Sequence, residues 1–192
     1  MTDRYENSET AQSWSVLTEL PGHPMMWVLL LNEFIIFGLF FITFSGARIF
    51  NPAIFAAGQA ELDVTLGGIN TLVLVTSGWF VALAAEARAG DGSRRAQYLL
   101  TGGMLLGGLF VVIKMIEYAA KFDAGYGLDG NVFFTLYFLM TGFHLMHVLA
   151  GIVLLGIVAW RNNLEDIRTG AVFWHMVDII WIIMYPVFYL VR

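Results

Sequence analysis

The chain has 192 residues, 58% hydrophobic and 13% charged, with a formal net charge of −5 and a mean hydropathy of +0.72. Soluble domains carry about 25% charged residues, so a core of this size cannot hide so much apolar surface, and lipid must act as solvent. The absence of cysteine excludes disulfide frameworks, zinc–thiolate sites, thiolate-bound haem and iron–sulfur clusters within the chain. The absence of a basic run excludes nucleic acid as a partner.

Residues 1–22 read as a polar, acidic tail without the basic start and apolar run of a cleaved signal peptide. Residues 23–192 read as one all-α domain, a polytopic membrane bundle of five transmembrane helices. A span needs about 20 mostly apolar residues. In chain order the spans are expected over Pro24 to Phe44, Leu66 to Ala85, Gln97 to Tyr118, Val132 to Trp160 and Gly170 to Leu190. The linkers carry the breakers: Asn51-Pro52 and Gly58, then Gly90-Asp91-Gly92, then Gly125, Gly127 and Gly130. Arg4, Arg88, Arg94, Arg95, Arg161 and Arg168 fall on one side, against Arg48, Lys121 and Arg192 on the other. The basic bias predicts a cytoplasmic N-terminus and an external C-terminus. Gly103 and Gly107 form a G-x-x-x-G step, doubled by Gly102 and Gly108, and Gly67, Gly68 and Gly78 repeat the theme on the second span. Small residues of this kind let membrane helices approach closely.

A charge at the centre of a membrane helix costs about 2.5–3.5 kcal/mol on insertion scales, so polar residues within the spans mark function or an obligate neighbour. Glu33 stands near the middle of the first span, as a proton-handling group or polar anchor, or as a protonated structural carboxyl. Lys114 and Glu117 share a face of the third span at i, i+3. Two turns from the helix end, Lys114 is expected to snorkel as half of a solvated or paired couple, and Glu117 to meet a partner or a lipid head group. His144 and His147 also stand at i, i+3. Metal or haem ligation would need further ligands, or histidines at matching depth on facing helices. With His144 near mid-membrane, His175 close to the cytoplasmic end and His23 just outside the first span, hydrogen bonding to Glu33 or to adjacent helices is the expectation. Trp174, Asp178, Trp181 and Tyr185 form one stripe on the fifth span, with His175 beside it. About two turns inside the helix, Asp178 is too deep for an interfacial belt alone and needs a donor, for which indole, phenol and imidazole are suited.

The ordered motifs resemble those of subunit III of the haem–copper oxidase superfamily. The first-helix glutamate with aromatics is matched by Glu33, Phe34, Phe37, Phe40 and Phe41. An N-T-x-x-L-x-x-S-G segment is matched by Asn70, Thr71, Leu74, Ser77 and Gly78, and an E-Y pair by Glu117 and Tyr118. T-G-F-H-x-x-H-V-x-x-G runs from Thr141 to Gly151, and W-H-x-V-D-x-x-W-x-x-x-Y is matched by Trp174, His175, Val177, Asp178, Trp181 and Tyr185. The likeness covers about residues 25 to 190. Mitochondrial-type members have two further helices at the start, so the resemblance is to the short five-helix bacterial members. Asn32 replaces a common serine, and P-G-H-P-M-M-W-V leans towards the branch associated with nitric oxide reductases.

The resemblance implies a non-catalytic subunit of a respiratory terminal oxidase in the bacterial cytoplasmic membrane. Such a subunit has no active site and binds no haem, copper or other metal itself. Haem and copper would lie in the catalytic subunit I, or haem and non-haem iron in the nitric-oxide-reductase alternative. The chain would pack on subunit I and other subunits, hold structural phospholipid, and support proton and oxygen delivery. The resemblance also assigns the carbodiimide-reactive carboxyl of the family to Glu33, with His147 beside it and His144 the second choice. Asn70, Gly103, Gly107, Trp174, Trp181 and Tyr185 would serve helix packing or subunit contact. A haem-binding cytochrome pairing His144 or His147 with His175, and a small transporter built on Glu33 and Asp178, are readings of other classes.

Overall fold

The computed structural model describes residues 24–191 apart from residue 129, so the N-terminal tail and His23 lie outside the described residues. Six α-helices follow one another: α1 (Pro24–Phe50), α2 (Pro52–Ala60), α3 (Val64–Ala89), α4 (Ser93–Asp123), α5 (Val132–Arg161) and α6 (Leu164–Tyr185). The chain then runs into a five-residue π-helical turn, Pro186–Leu190. Among the described residues five segments are long and apolar enough to cross a membrane, the last running from Leu164 to Leu190. The result is an all-α, multi-pass membrane bundle.

Each boundary has a local cause. Pro52 cannot donate the next backbone bond of α1, and it opens α2 at a position where no donor is needed. Asp63 caps α3 by accepting from the N–H groups of Thr65 and Leu66, at 2.9 and 3.0 Å. Asn131 does the same for α5 through the Phe134 N–H, at 2.9 Å. Asn162 ends α5 in the left-handed region, at φ 49°. Its carbonyl accepts from Arg88 Nε at 3.0 Å and its amide meets Ser93, tying the α3–α4 and α5–α6 connections together. At the opposite end, Lys121 donates to the Glu61 carbonyl. The helices outrun the hydropathy windows. α6 begins at Leu164, six residues before the expected Gly170, with Glu165 and Asp166 in its first turn, where acidic side chains suit the helix dipole. Asp178 therefore lies about four turns from the start of its helix, not two.

α3, α4, α5 and α6 form a ring in which each packs on two others, while α1 lies outside against α5 and α6. The indole of Trp174 is wedged into the ring. A Cβ on Gly107 of α4 would stand 2.6 Å from Trp174 Cη2, and one on Gly151 of α5 would stand 2.8 Å from Cε3. Gly103 faces α3, where a Cβ would meet Val81 Cγ2 at 2.9 Å, and Gly102 faces Phe80 in the same way. Gly108 is different: it faces open space, so it plays no part in the expected doubling of the glycine step.

α2 was expected to be a linker. Its nine residues instead cover the opposite end of the bundle. Phe55 packs on Phe44 and Phe133 with centroids at 5.0 and 5.5 Å. Gln59 is buried and its amide donates to the carbonyls of Val187, Phe188 and Val191 at 3.1, 3.2 and 2.9 Å. Those carbonyls belong to the π-helical turn and its end, where Pro186 has broken the regular ladder.

Gly107→Ala is expected to destabilise the detergent-solubilised protein by about 1–3 kcal/mol, because the added methyl overlaps a buried indole. Gly108→Ala, in open space, should leave stability unchanged or raise it by up to about 1 kcal/mol through helix propensity. Thermal unfolding of the two variants checks the difference, and equal losses would contradict the wedge.

Candidate functional site

The polar residues gather in three places. The first lies between α4, α5 and the π-helical turn. Lys114 was expected to snorkel towards water, but it is fully buried. Its ammonium donates to Glu117 Oε2 at 3.0 Å, Tyr137 Oη at 2.8 Å and Tyr189 Oη at 3.1 Å. An ammonium has three protons, and all three are placed. Glu117 Oε1 accepts from the hydroxyls of Tyr137 and Tyr189 at 2.8 and 2.5 Å. The rings of Tyr137, Trp181, Tyr118 and Tyr189 surround Lys114 Nζ at 4.8, 5.0, 5.4 and 5.7 Å from their centroids, adding cation–π attraction in a desolvated site. Thr141 Oγ1 donates to the Tyr137 carbonyl at 2.6 Å, which leaves Tyr118 as the donor to Thr141, also at 2.6 Å. The charge is accommodated by the protein because α4 continues to Asp123 and α2 closes that end.

The second place is the contact of α1 with α5. His147 Nε2 stands 3.0 Å from Glu33 Oε2, and the two side chains are 10% and 15% exposed. His147 Nδ1 lies 2.8 Å from the Phe143 carbonyl on its own helix. A carbonyl only accepts, so Nδ1 carries a hydrogen. Nε2 and the carboxylate oxygen would repel as two bare lone pairs, so one proton belongs to the Glu33–His147 pair. The approach has the distance of an ion pair without the alignment of a hydrogen bond. Phe37 and Phe143 wall the imidazole at 5.7 and 4.7 Å.

His144, one turn back on α5, does not join this pair. It is fully buried and neither ring nitrogen has a hydrogen-bond partner, against the expectation of a polar link to Glu33 or a neighbouring helix. It stacks on Trp181 (centroids 5.2 Å, 28° between planes) and meets Phe110 edge-on.

The third place is the contact of α6 with α3. Asp178 Oδ2 lies 3.6 Å from His175 Nδ1, with the imidazole 40% exposed. Asp178 is buried against Gly78, where any Cβ would collide with Oδ2. Trp181 Nε1 donates to Thr71 Oγ1 at 3.0 Å, and Tyr185 Oη to the Val64 carbonyl at 3.3 Å. The stripe on α6 is therefore the α3-facing seam, with Trp174 turned into the ring. Asn70 donates to the Phe110 carbonyl at 3.4 Å and Ser77 to the Gly103 carbonyl at 2.7 Å, joining α3 to α4.

Among the described residues no three His, Asp or Glu side chains gather where they could hold a metal ion. His147, His144 and His175 each face different neighbours. Sequence reasoning missed Tyr137, Tyr189 and Gln59; the first two complete the Lys114 site, and Gln59 anchors the turn that carries Tyr189. A lysine and glutamate at i, i+3 in an apolar run, with tyrosines on later spans, was the available signal.

Removing one partner of a buried ion pair costs about 3–5 kcal/mol because the other is stranded. Lys114→Met is expected to lose stability on that scale. Lys114→Met with Glu117→Gln should recover most of it, since no uncompensated charge remains. Thermal unfolding of both variants checks this, and a double variant as unstable as the single one would contradict it.

Comparison with known proteins agrees with these motifs. The family described as cytochrome c oxidase subunit III matches residues 22–191. Over 185 residues the chain is 31% identical to a haem–copper oxidase subunit I+III of Aeropyrum pernix, with 86% of this chain and 22% of that protein covered. It is 32% identical over 174 residues to a cytochrome c oxidase subunit 3 of Thermostichus vulcanus, covering 85% of this chain and 84% of the relative. A Synechocystis cytochrome c oxidase subunit 3 is 28% identical over 183 residues, covering 88% and 77%. The chain thus spans less than a quarter of the first relative and most of the other two. With the five membrane-spanning helices and the motif residues in order along them, the chain belongs to the cytochrome c oxidase subunit III family.

Proposed function

We propose that this chain is the non-catalytic subunit III of a haem–copper terminal oxidase in the bacterial cytoplasmic membrane, with its N-terminus cytoplasmic and its C-terminus outside. Residues 1–22 form its polar tail and residues 23–192 its membrane domain. It packs on the catalytic subunit I, which carries the haem and copper, and the complex passes electrons from cytochrome c or quinol to oxygen. The relative from Aeropyrum pernix, whose name joins subunits I and III in one protein, supports that partnership. The arginines of the α3–α4 and α5–α6 connections support the orientation.

The Glu33–His147 pair carries the reading. A carboxyl and an imidazole share a proton at the contact of α1 with α5, both almost covered, in a family whose redox centres lie in another subunit. A proton-bearing carboxyl–imidazole contact between two membrane helices fits a role in sustaining proton delivery to the catalytic subunit. Phospholipid covers the outer faces of α1 and α4.

Glu33→Gln is expected to leave the optical spectrum of the assembled complex unchanged while shortening the time over which turnover is sustained. Spectra of the purified variant followed by prolonged oxygen-consumption assays check this. Lost haem absorbance in a fully assembled complex would contradict it. Haem and metal analysis of the co-purified partner separates the oxidase, with copper, from a nitric oxide reductase, with non-haem iron.

A further inference from the structure

The outer face shared by α3 and α6 has a composition that lipid alone does not explain. Trp79 is 61% exposed. It stands ten residues from the end of α3 at Ala89 and fifteen from Val64, roughly 15 and 22 Å along the axis, too deep for the aromatic belt at a membrane surface. At the same level is His175, 40% exposed. A Cβ on Gly78, the residue before Trp79, would lie 3.4 Å from His175 Nδ1. Helical rotation puts Val75 and Trp79 on the α6 side of α3, and His175 and Ile182 on the facing flank of α6. Val75 and Ile182 are also exposed. The four flank the groove between these two packed helices, beside the point where Asp178 is buried against Gly78.

The chemistry of the occupant follows from the imidazole. Its Nδ1 faces the Asp178 carboxylate at 3.6 Å, which favours the tautomer with the hydrogen on Nδ1. Nε2, across the ring from that contact, is then an acceptor. An acceptor held at mid-depth in hydrocarbon calls for a donor carried by another membrane helix. Leu105 and Val112 of α4 and Ile35 of α1 are exposed apolar residues on other faces, and such side chains suit acyl chains.

We propose that the α3–α6 groove is the docking surface for a transmembrane helix of the catalytic subunit, which brings a hydroxyl, amide or indole N–H donor to His175 Nε2 and packs on Trp79. This rests on the partnership with subunit I proposed above. The test is made in the whole complex, with a photoreactive benzoyl-phenylalanine at Val75 or Ile182 and, as controls, at Leu105, Val112 or Ile35. Adducts to the catalytic subunit are expected from the first two positions. Adducts confined to the α1 and α4 probes would overturn the groove while leaving the partnership intact. Failure of the wild-type chain to co-purify with any haem–copper subunit would overturn the partnership itself, and the groove with it. His175→Leu should lower retention of the chain in the complex roughly three- to tenfold, the scale of one hydrogen bond between membrane helices. His175→Gln, whose side-chain carbonyl reaches the position of Nε2, should restore retention. Equal retention of Leu and wild type would also overturn the proposal.

Discussion

Hydrocarbon offers no hydrogen bonds, so every polar group carried into it must be satisfied by protein. That constraint organises this bundle more than apolar attraction does, because lipid chains are as apolar as the side chains they touch. Lys114 meets it completely: three donors, three acceptors and a carboxylate that accepts two more hydroxyls. The seam between α3 and α4 meets it with side-chain amide and hydroxyl donors on backbone carbonyls, from Asn70 and Ser77. Gln59 meets it where Pro186 leaves the C-terminal turn irregular, by supplying an amide to three carbonyls.

Away from these polar contacts, shape decides the packing. Aromatic rings repeatedly occupy the gap left by a missing Cβ: Phe133 at Gly58, Tyr189 at Gly67, Phe80 at Gly102, and Trp174 at both Gly107 and Gly151. Each notch trades a methyl for a full ring face of dispersion contacts, individually small and collectively large. The expected G-x-x-x-G step is thus only partly a backbone-to-backbone approach. Gly103 serves the contact with α3, while Gly107, one turn on, receives a side chain from α6. This makes Trp174 the common element of α4, α5 and α6, and explains why a ring of four helices closes around one indole.

The five spans were legible from composition, since a long apolar run has few other uses. Their ends were not, because hydropathy reports where lipid begins and a helix continues past that point. The error propagated into depth. With α4 taken to end at Tyr118, Lys114 looked close to water; with α4 reaching Asp123 and α2 folded beneath it, the lysine is sealed. With α6 taken to begin at Gly170, Asp178 stood about two turns inside its helix, already too deep for an interfacial belt; with α6 beginning at Leu164 it stands about four turns in. The short α2 was hidden by its nine residues and by breakers on both sides. Glu33 and the histidines were conspicuous as polar residues in apolar runs, but their partners were not, because spacing along one helix says nothing of which neighbour it faces. His144 and His147 differ by one turn and have opposite fates: one is stacked on Trp181 without a polar partner, the other apposed to Glu33.

The polar groups divide by how completely the chain covers them. Those of the Lys114 site are sealed and complete, which is what a fixed structural clamp requires. It holds the π-helical turn to α4 and α5 through two tyrosine hydroxyls. The Glu33–His147 pair is almost covered as well, whereas the His175–Asp178 pair leaves its imidazole 40% exposed. They lie on different sides of α6, one where α1 meets α5 and the other where α6 meets α3. The sealed clamp and the covered Glu33–His147 pair thus contrast with the one polar side chain of these pairs, His175, that is directed outward. The sealed site ties α4, α5 and the turn after α6 together, and with them the helices that carry His147, His175 and Asp178.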